Sequence, residues 1–429
     1  MSKCPFDFTR RNFLALASGI AAAAGVGYGA RTAVDVIAAK KSELPARQAL
    51  EPFWGKHQSG IVTPVQTHTY FAAFDLLTDK RDDVIKLLQK WTTASARMAD
   101  GQSAEPVDNT SSDASVDSDD ALGLSPSRLT ITFGFGAGLY ISDGKDRFGL
   151  AAERPEAFVD LPKFNGDQLV ETHTGGDLSV QACADDPQVA FHAIRQLVRL
   201  ADYIAQIRWT QAGFASSPPG GGTPRNLMGF KDGTGNPSIK DQEEMDKIIW
   251  VGNEGPDWMR GGSYMVARRI RIALEHWDRM KLAFQEQTVG RQKISGAPLG
   301  KVNEFDKADL AAVDKDGNYI VPENSHLRLA AAENNDGAQI LRRPYSYNDG
   351  VNFTAERWPP WRQGMEYDAG LLFMCYQRDP RTGFIKIFDK MSKFDMMNQF
   401  VTHVGGGLFA CPGGTQEGEF IGQRLFQST

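Results

Sequence analysis

The stretch Gly229-Phe-Lys-Asp-Gly-Thr-Gly-Asn-Pro237 separates two halves of the chain that share one pattern. It is rich in glycine and ends at a proline, which is typical of a loop. A single acid, Asp232, stands in its middle. Because glycines let backbone approach a bound group closely, this acid would face whatever fills the adjacent space. An Asp-Gly pair is also typical of a surface turn, and this stretch alone leaves that alternative open.

Both halves predict the same order of elements. In the first half we expect strands near 67–76, 128–134, 177–183 and 209–214, and helices that begin near Asp79 and at Pro187. In the second half we expect strands near 262–274, 339–345, 370–377 and 404–410, and helices over 277–288 and 384–391. Each half reads β-α-β-β-α-β. The sequence therefore predicts an α+β protein of two ferredoxin-like domains, 60–235 and 236–429, with antiparallel sheets packed together.

The N-terminus has the pattern of an export signal. Thr9-Arg-Arg-Asn-Phe-Leu14 precedes an apolar stretch rich in alanine and glycine, and paired arginines there are typical of a twin-arginine signal. The alternative is an ordinary helix start with two surface arginines. We interpret residues 1–40 as signal and linker, and we expect the twin-arginine export machinery to recognise this signal. Cleavage is expected near Gly29 or Ala38. The protein is then expected in the periplasm or otherwise exported.

Composition narrows the classes of function. The chain of 429 residues has 41% hydrophobic residues and a formal net charge of −6, without a basic run, so we expect no nucleic-acid partner. Cys183, Cys375 and Cys411 lie in apolar, strand-like stretches and are expected to be buried free thiols. The stretch 100–120 is rich in Asp and Ser, without Lys or Arg, and is typical of an acidic loop. Repulsion of anionic substrates and cation binding are its functional alternatives.

Two further motifs follow the glycine-rich loop. His326 stands in Ser325-His-Leu-Arg328, and Arg342 stands in Ile340-Leu-Arg-Arg343. An acid, a histidine and an arginine are the groups that a haem peroxidase needs. With Gly370-Leu-Leu-Phe-Met-Cys-Tyr-Gln377 and Val404-Gly-Gly-Gly-Leu-Phe-Ala410, the ordered set resembles the dye-decolourising peroxidases. The likeness extends from about Thr67 to Phe426 and is greatest to the periplasmic, iron-transport-associated branch (the EfeB type).

This resemblance implies a peroxidase with one non-covalent haem b per chain, held between the sheet and helices of the second half. It implies His326 as the proximal iron ligand, Asp232 as the distal acid and base, and Arg342 as the distal cation. Hydrogen peroxide would oxidise bulky, phenolic or dye-like reductants through a ferryl intermediate. An unperturbed Asp titrates near about 4, so we expect turnover to favour acidic pH. The absence of a C-x-x-C-H motif agrees with a haem that is not attached in the c-type manner.

Two other functions remain open at this point. The same branch suggests the release of iron from haem with the porphyrin left intact, as in a deferrochelatase. A non-catalytic exported haem carrier would keep His326 but would need neither Asp232 nor Arg342. Iron-uptake proteins are conceivable partners, and a homodimer is the expected assembly.

Further site residues follow from the same resemblance. Gly233, Thr234 and Gly235 would bring backbone N–H groups and a hydroxyl to the haem edge or a propionate. Asn236 would order a distal water, and Phe373 would form an apolar wall, with ordinary core packing as its alternative.

Some assignments around the histidine and arginine rest on position. Strand alternation directs Arg343 to the face opposite Arg342, and Arg343 is the candidate if the neighbour has been misassigned. Asp389, in the last helix, is the candidate acceptor for the second N–H of His326. Members of the branch often carry Asn-Pro-Arg after the proximal histidine, where this chain has Ala331-Ala-Glu333, so that propionate contact is not carried over.

Overall fold

The computed structural model describes residues 50–106, 117–219, 222–355 and 363–427. The predicted twin-arginine signal lies outside the described residues, as do residues 107–116 of the acidic stretch. Within the described part of the chain, no helix combines the length and apolar character needed to cross a membrane.

The first half forms a four-stranded antiparallel sheet backed by two helices. Its elements are β1 (His68–Leu76), α1 (Arg81–Ala99), β2 (Thr130–Phe135), β3 (Leu178–Ala184), α2 (Pro187–Ala201) and β4 (Ala205–Phe214). The strand order is β4-β1-β3-β2. Asp186 caps α2 by accepting from the backbone of Gln188 and Val189, and Pro187 fills the first turn. This half is ferredoxin-like, as predicted.

The second half repeats the arrangement with longer connections. Its elements are α3 (Gln242–Ile248), β5 (Ser263–Ile272), α4 (Leu274–Asp278), α5 (Leu282–Val289), α6 (His326–Ala330), β6 (Leu341–Arg342), β7 (Tyr345–Ala355), β8 (Gln363–Gln377), α7 (Phe384–Phe394), β9 (Val401–Cys411) and α8 (Gln423–Gln427). The order β9-β5-β8-β7 matches that of the first half, and β6 also pairs with β8.

The second half differs from the prediction in its details. The helix expected over 277–288 is two short helices, α4 and α5, because the chain turns after Asp278 and Gln285 Nε2 donates to the freed carbonyl of Trp277 at 2.9 Å. The strand expected over 370–377 begins earlier, at Gln363, and the strand expected over 339–345 is divided into the short β6 and the much longer β7. The Asn-Asp-Gly sequence of β7 forms a bulge, where Gly350 has φ +90°, and does not end the strand.

The two sheets join at their edges into a ring of eight strands. One residue pair, Phe135↔Ala410, joins β2 to β9, and another, Phe214↔Ser346, joins β4 to β7. An apolar cluster drawn from both halves fills part of the interior, with Phe71, Trp209, Met265, Met374 and Phe409 among its members. Buried polar side chains, Arg343 among them, also point into the ring. The helices lie on the outer faces.

The three described cysteines are free and buried, which confirms their predicted state. Burial raises the pKa of the Cys375 thiol to about 12 and that of Cys411 further still. Because the thiolate is the reactive species, we expect the folded protein at pH 8 not to react at these positions with a thiol reagent, and to react after unfolding in guanidinium. Mass spectrometry of peptides labelled before and after unfolding measures this. Labelling of Cys375 in the folded protein would contradict the burial described here.

Candidate active site

The two adjacent arginines point to opposite faces of the second sheet. Arg342 pairs with Cys375 across β6 and β8, so its side chain lies on the helix-covered face. Arg343 points into the ring, where it donates to the backbone carbonyl of Thr63 and, at 2.7 Å, to Gln66 Oε1. Arg343 therefore lies on the face opposite Arg342, as strand alternation predicts, and the geometry is consistent with Arg342, which the family resemblance implied, as the site arginine.

The glycine-rich loop brings Asp232 to Arg342. Arg342 Nη1 donates to Asp232 Oδ1 at 3.1 Å, and Asn226 Nδ2 lies 3.4 Å from Oδ2. The Asp232 backbone N–H donates to the carbonyl of Pro224 at 2.9 Å. Gly233 follows at φ +122°, a conformation that side chains rarely adopt, so this position needs glycine. The result is a carboxylate fixed against a permanent cation.

Asn236 holds the arginine through its side-chain amide. Its Nδ2 donates to the carbonyl of Arg342 at 2.7 Å, and its Oδ1 accepts from the Arg342 N–H at 3.1 Å. Each end of the amide thus makes one hydrogen bond to the backbone of β6, which holds Arg342 in place. These two bonds leave one N–H and one lone pair of the amide unused, so the predicted role in ordering a water stays a prediction. A Cβ on Gly235 would lie 4.0 Å from Arg342 Nη2, so this glycine borders the guanidinium.

His326 begins α6 and is oriented by a buried carboxylate. Its Nδ1 lies 2.7 Å from Asp395 Oδ2, and the Asp395 side chain is only 3% exposed. Asp395 ends α7, and its Oδ1 accepts from the backbone of Met397 at 2.8 Å. The predicted acceptor, Asp389, is wrong: it is exposed on α7 and pairs with Lys393 at 2.8 Å. The signal for Asp395 was its place directly after the last apolar residue of the helix.

The histidine and the arginine border one apolar region. Leu329 of α6 packs with Ile387 and Met391 of α7, and Ile340, two residues before Arg342, joins this cluster. Phe373 lies on the same sheet face as Arg342, by the period of two in β8, and its ring centroid is 5.9 Å from that of Phe384. Apolar walls, an imidazole with Nδ1 already bonded, and a polar pair on the neighbouring strand suit a flat aromatic macrocycle that binds iron.

Two residues near the site carry no sequence motif and were missed. Arg291 is half-buried and has no carboxylate within ion-pair distance among the described residues. Burial and then repulsion by Arg342 lower the pKa of its guanidinium, which places the two arginines near each other. Glu304 is the other: its side chain is 10% exposed and accepts from Lys231 and Thr234, on either side of Asp232.

The side chains of Thr234 and Glu333 both have partners within the protein. The Thr234 hydroxyl donates to Glu304 Oε1 at 3.0 Å, so its proton is already bound to an acceptor within the protein. Glu333, where the family branch often has arginine, is exposed and pairs with Lys307 at 2.6 Å. As an acid, it offers no cation for a propionate.

Comparison with known proteins relates both halves of the chain to one family. Residues 58–215 match the family described as Dyp-type peroxidase, N-terminal, and residues 223–416 match Dyp-type peroxidase, C-terminal. A dye-decolorizing peroxidase of Thermobifida fusca is 36% identical over 98% of this chain and 97% of its own length. The deferrochelatase of Escherichia coli K12 is 34% identical over 89% of this chain and 88% of its own length.

Solved structures agree. A DyP-type peroxidase from Streptomyces coelicolor is 41% identical with a TM-score of 0.79, and the match covers 90% of this chain and 99% of that one. Ferric DtpA from Streptomyces lividans is 40% identical with a TM-score of 0.79, over 90% of this chain and 100% of that one.

Proposed function

Because the chain belongs to the Dyp-type peroxidase family, we propose that Asp232 and Arg342 act on hydrogen peroxide while His326 ligates haem iron. The family assignment makes the protein a haem b-dependent peroxidase and an oxidoreductase, and it disfavours a non-catalytic carrier. The observation that carries the residue assignment is the pairing of Asp232 with Arg342 at 3.1 Å. A haem carrier would not need a carboxylate fixed against a guanidinium near the histidine.

The residues present fit haem. His326 would ligate the iron through the imidazole nitrogen that faces away from Asp395, and Phe373 would border the porphyrin. When bound, haem supplies the redox chemistry that reduces peroxide and accepts electrons from the reductant. Asp232 can take a proton from one peroxide oxygen and return it to the other, as base and then acid. Arg342 places a permanent positive charge where negative charge develops on the leaving oxygen.

Asp395 is the hydrogen-bond partner of His326, the proposed iron ligand. A carboxylate that accepts the second N–H of a metal-bound histidine fixes its tautomer and makes it a stronger donor to the metal. Its burial and its second bond to Met397 keep it in place. We infer that Asp395 orients His326 and raises its basicity.

Loading the protein with haem b and supplying peroxide with a bulky phenolic dye tests the proposed activity. Absorbance at the Soret band should saturate at one haem per chain, and the loaded protein should then oxidise the dye. Haem binding at this stoichiometry without dye oxidation would contradict the proposal and favour the carrier.

Asp395→Asn should weaken the bond between His326 and the haem iron, while His326 itself remains as the ligand. Changes to such partners typically cost about 10–100-fold in metal affinity or activity, and we expect a loss in that range in dye turnover. Resonance Raman spectroscopy should report a weaker iron–histidine bond in the ferrous protein. Asp389→Asn is the matched control on the same helix and should behave as wild type. An unchanged iron–histidine band in Asp395→Asn would contradict the role.

Release of iron from haem is the second candidate function. Support comes from relatives named deferrochelatase, which align with 89% of this chain. Incubation with haem, followed by extraction and fluorescence detection of metal-free protoporphyrin, separates the two. Dye oxidation without protoporphyrin would leave peroxidase as the main activity.

We further propose export by the twin-arginine route to the periplasm, on the basis of Arg10-Arg11 and the apolar stretch behind them. A homodimer and contact with iron-uptake proteins remain predictions. Fusing residues 1–40 to a folded reporter tests export, and replacing both arginines by lysine should retain the reporter in the cytoplasm.

A further inference from the structure

Glu304 makes the most concentrated set of contacts to the loop that holds Asp232. Its Oε1 accepts from the Thr234 hydroxyl at 3.0 Å and from the Thr223 hydroxyl, and its Oε2 accepts from Lys231 Nζ. Lys231 directly precedes Asp232, and Thr234 follows it by two positions. One partly buried carboxylate thus contacts the loop on both sides of Asp232.

The loop needs such an anchor because its own backbone is permissive. Gly229 and Gly233 both have positive φ, at +83° and +122°. Glycine has more conformational freedom than any other residue, so holding it in one conformation requires contacts from elsewhere. Arg225 supplies a second attachment by donating to the carbonyls of Lys293 and Ile294 at 2.6 and 2.8 Å. Both attachments lead to the same segment, residues 290–306.

A glycine leaves room for the contact between Lys231 and Glu304. A Cβ on Gly296 would lie 2.7 Å from Lys231 Cδ, so a side chain at 296 would obstruct the lysine. Arg291 Nη1 donates to the carbonyls of Gly296 and Glu304, at 2.7 and 3.1 Å. The anchor is therefore held in turn by the arginine that lies near Arg342.

The contacts around Glu304 favour its charged form. Burial opposes that form, but the hydrogen bonds from Lys231, Thr223 and Thr234 outweigh it and lower the pKa of this carboxyl from its ordinary value. An ionised acceptor forms stronger hydrogen bonds than a neutral one.

We propose that Glu304 is a positioning residue for the peroxide reaction, which fixes the loop so that the Asp232 carboxylate keeps its place beside Arg342. This inference rests on the proposed role of Asp232. Misplacement of a catalytic group is costly, since a shift of about 1 Å can reduce a rate about 100-fold. Glu304 then affects the rate with no contact of its own to peroxide.

Glu304→Gln in the haem-loaded full chain tests this. Glutamine keeps the shape but loses the charge and one acceptor. We expect the second-order rate constant with hydrogen peroxide, measured by stopped flow, to fall by about 10–100-fold and its pH profile to be displaced. Haem stoichiometry, the Soret maximum and the iron–histidine Raman band should stay as in wild type. Asp309→Asn, an exposed acid that follows the same segment, is the matched control.

A second pair of variants keeps the proposal falsifiable whatever the stability of Glu304→Gln. Thr234→Val removes one hydroxyl donor and should slow the peroxide step, whereas Thr234→Ser retains it and should lie closer to wild type. A wild-type rate and pH profile in Glu304→Gln, even with a lower melting temperature, would overturn the inference. Should Glu304→Gln not fold, equal rates for the two Thr234 variants would overturn it. A wild-type rate in Asp232→Asn would instead overturn the proposed function.

Discussion

Asp232→Asn is expected to slow the reaction of the haem-loaded protein with hydrogen peroxide by about 10²–10⁴-fold, the usual contribution of a positioned acid or base. Asparagine has nearly the same shape and can still accept a hydrogen bond from Arg342, so the loop and the haem site should persist. What is lost is a group that can take up a proton and return it. Stopped-flow measurement of the peroxide step across pH reports this directly, and the rate in the variant should no longer depend on ionisation of this carboxyl.

Asp241→Asn is the matched control for this substitution. Asp241 lies on the same stretch of chain and caps α3 by accepting from the Glu244 N–H at 3.0 Å, a role that asparagine fills equally well. It should react with peroxide as wild type does. Equal rates and equal pH profiles for Asp232→Asn and wild type would remove Asp232 from the mechanism.

His326→Ala is expected to lower the affinity for haem by more than about 100-fold, because changes to the outer partners of a metal ligand alone cost about 10–100-fold. The Soret band of any bound haem should shift, and added imidazole should restore much of the wild-type spectrum by filling the space. The substitution also leaves the buried Asp395 carboxylate without its partner, at a cost of about 1–3 kcal/mol or more. The melting temperature should therefore fall as well.

Titration of apoprotein with haem, followed at the Soret band, measures the affinity. His68→Ala, at the start of β1 in the other half, is the control and should bind haem normally. Normal haem affinity in His326→Ala would move the iron ligand to another side chain.

Local patterns predicted the order of strands and helices, and the period of two along a strand placed Arg342 and Arg343 on opposite faces, because neighbouring side chains point to opposite sides. The choice of Asp232, His326 and Arg342 as site residues came from the family resemblance and stays a prediction, which the pairing of Asp232 with Arg342 supports. The repeated order of strands and helices in the two halves predicted both sheets. That the two sheets close into one ring depends on single residue pairs between distant strands, which no local pattern encodes.

The contacts that orient the site were harder to predict. Asp389 and Asp395 are both acids near the end of one helix, and only the packing of α7 against α6 decides which of them reaches His326. The two hydrogen bonds of the Asn236 amide to the backbone of Arg342 were not predicted, because the two residues lie 106 positions apart in the chain. Glu304 lies 72 positions after Asp232 in a segment without regular structure, so no spacing indicates it.

The closure of the eight-stranded ring has a consequence for how the molecule would come apart. Nearly all strand hydrogen bonds join two strands of the same half. The two joints between the halves each consist of a single residue pair. Amide protons at Phe135 and Phe214 should thus exchange with deuterium earlier than those in the middle of β1 or β5. Parting at the β4–β7 joint would admit solvent close to Arg343, which lies three residues before Ser346 and whose buried guanidinium has no carboxylate beside it in the described chain. Hydration of that cation would lower the free-energy cost of opening, so this joint combines a single strand pair with a buried charge that water stabilises.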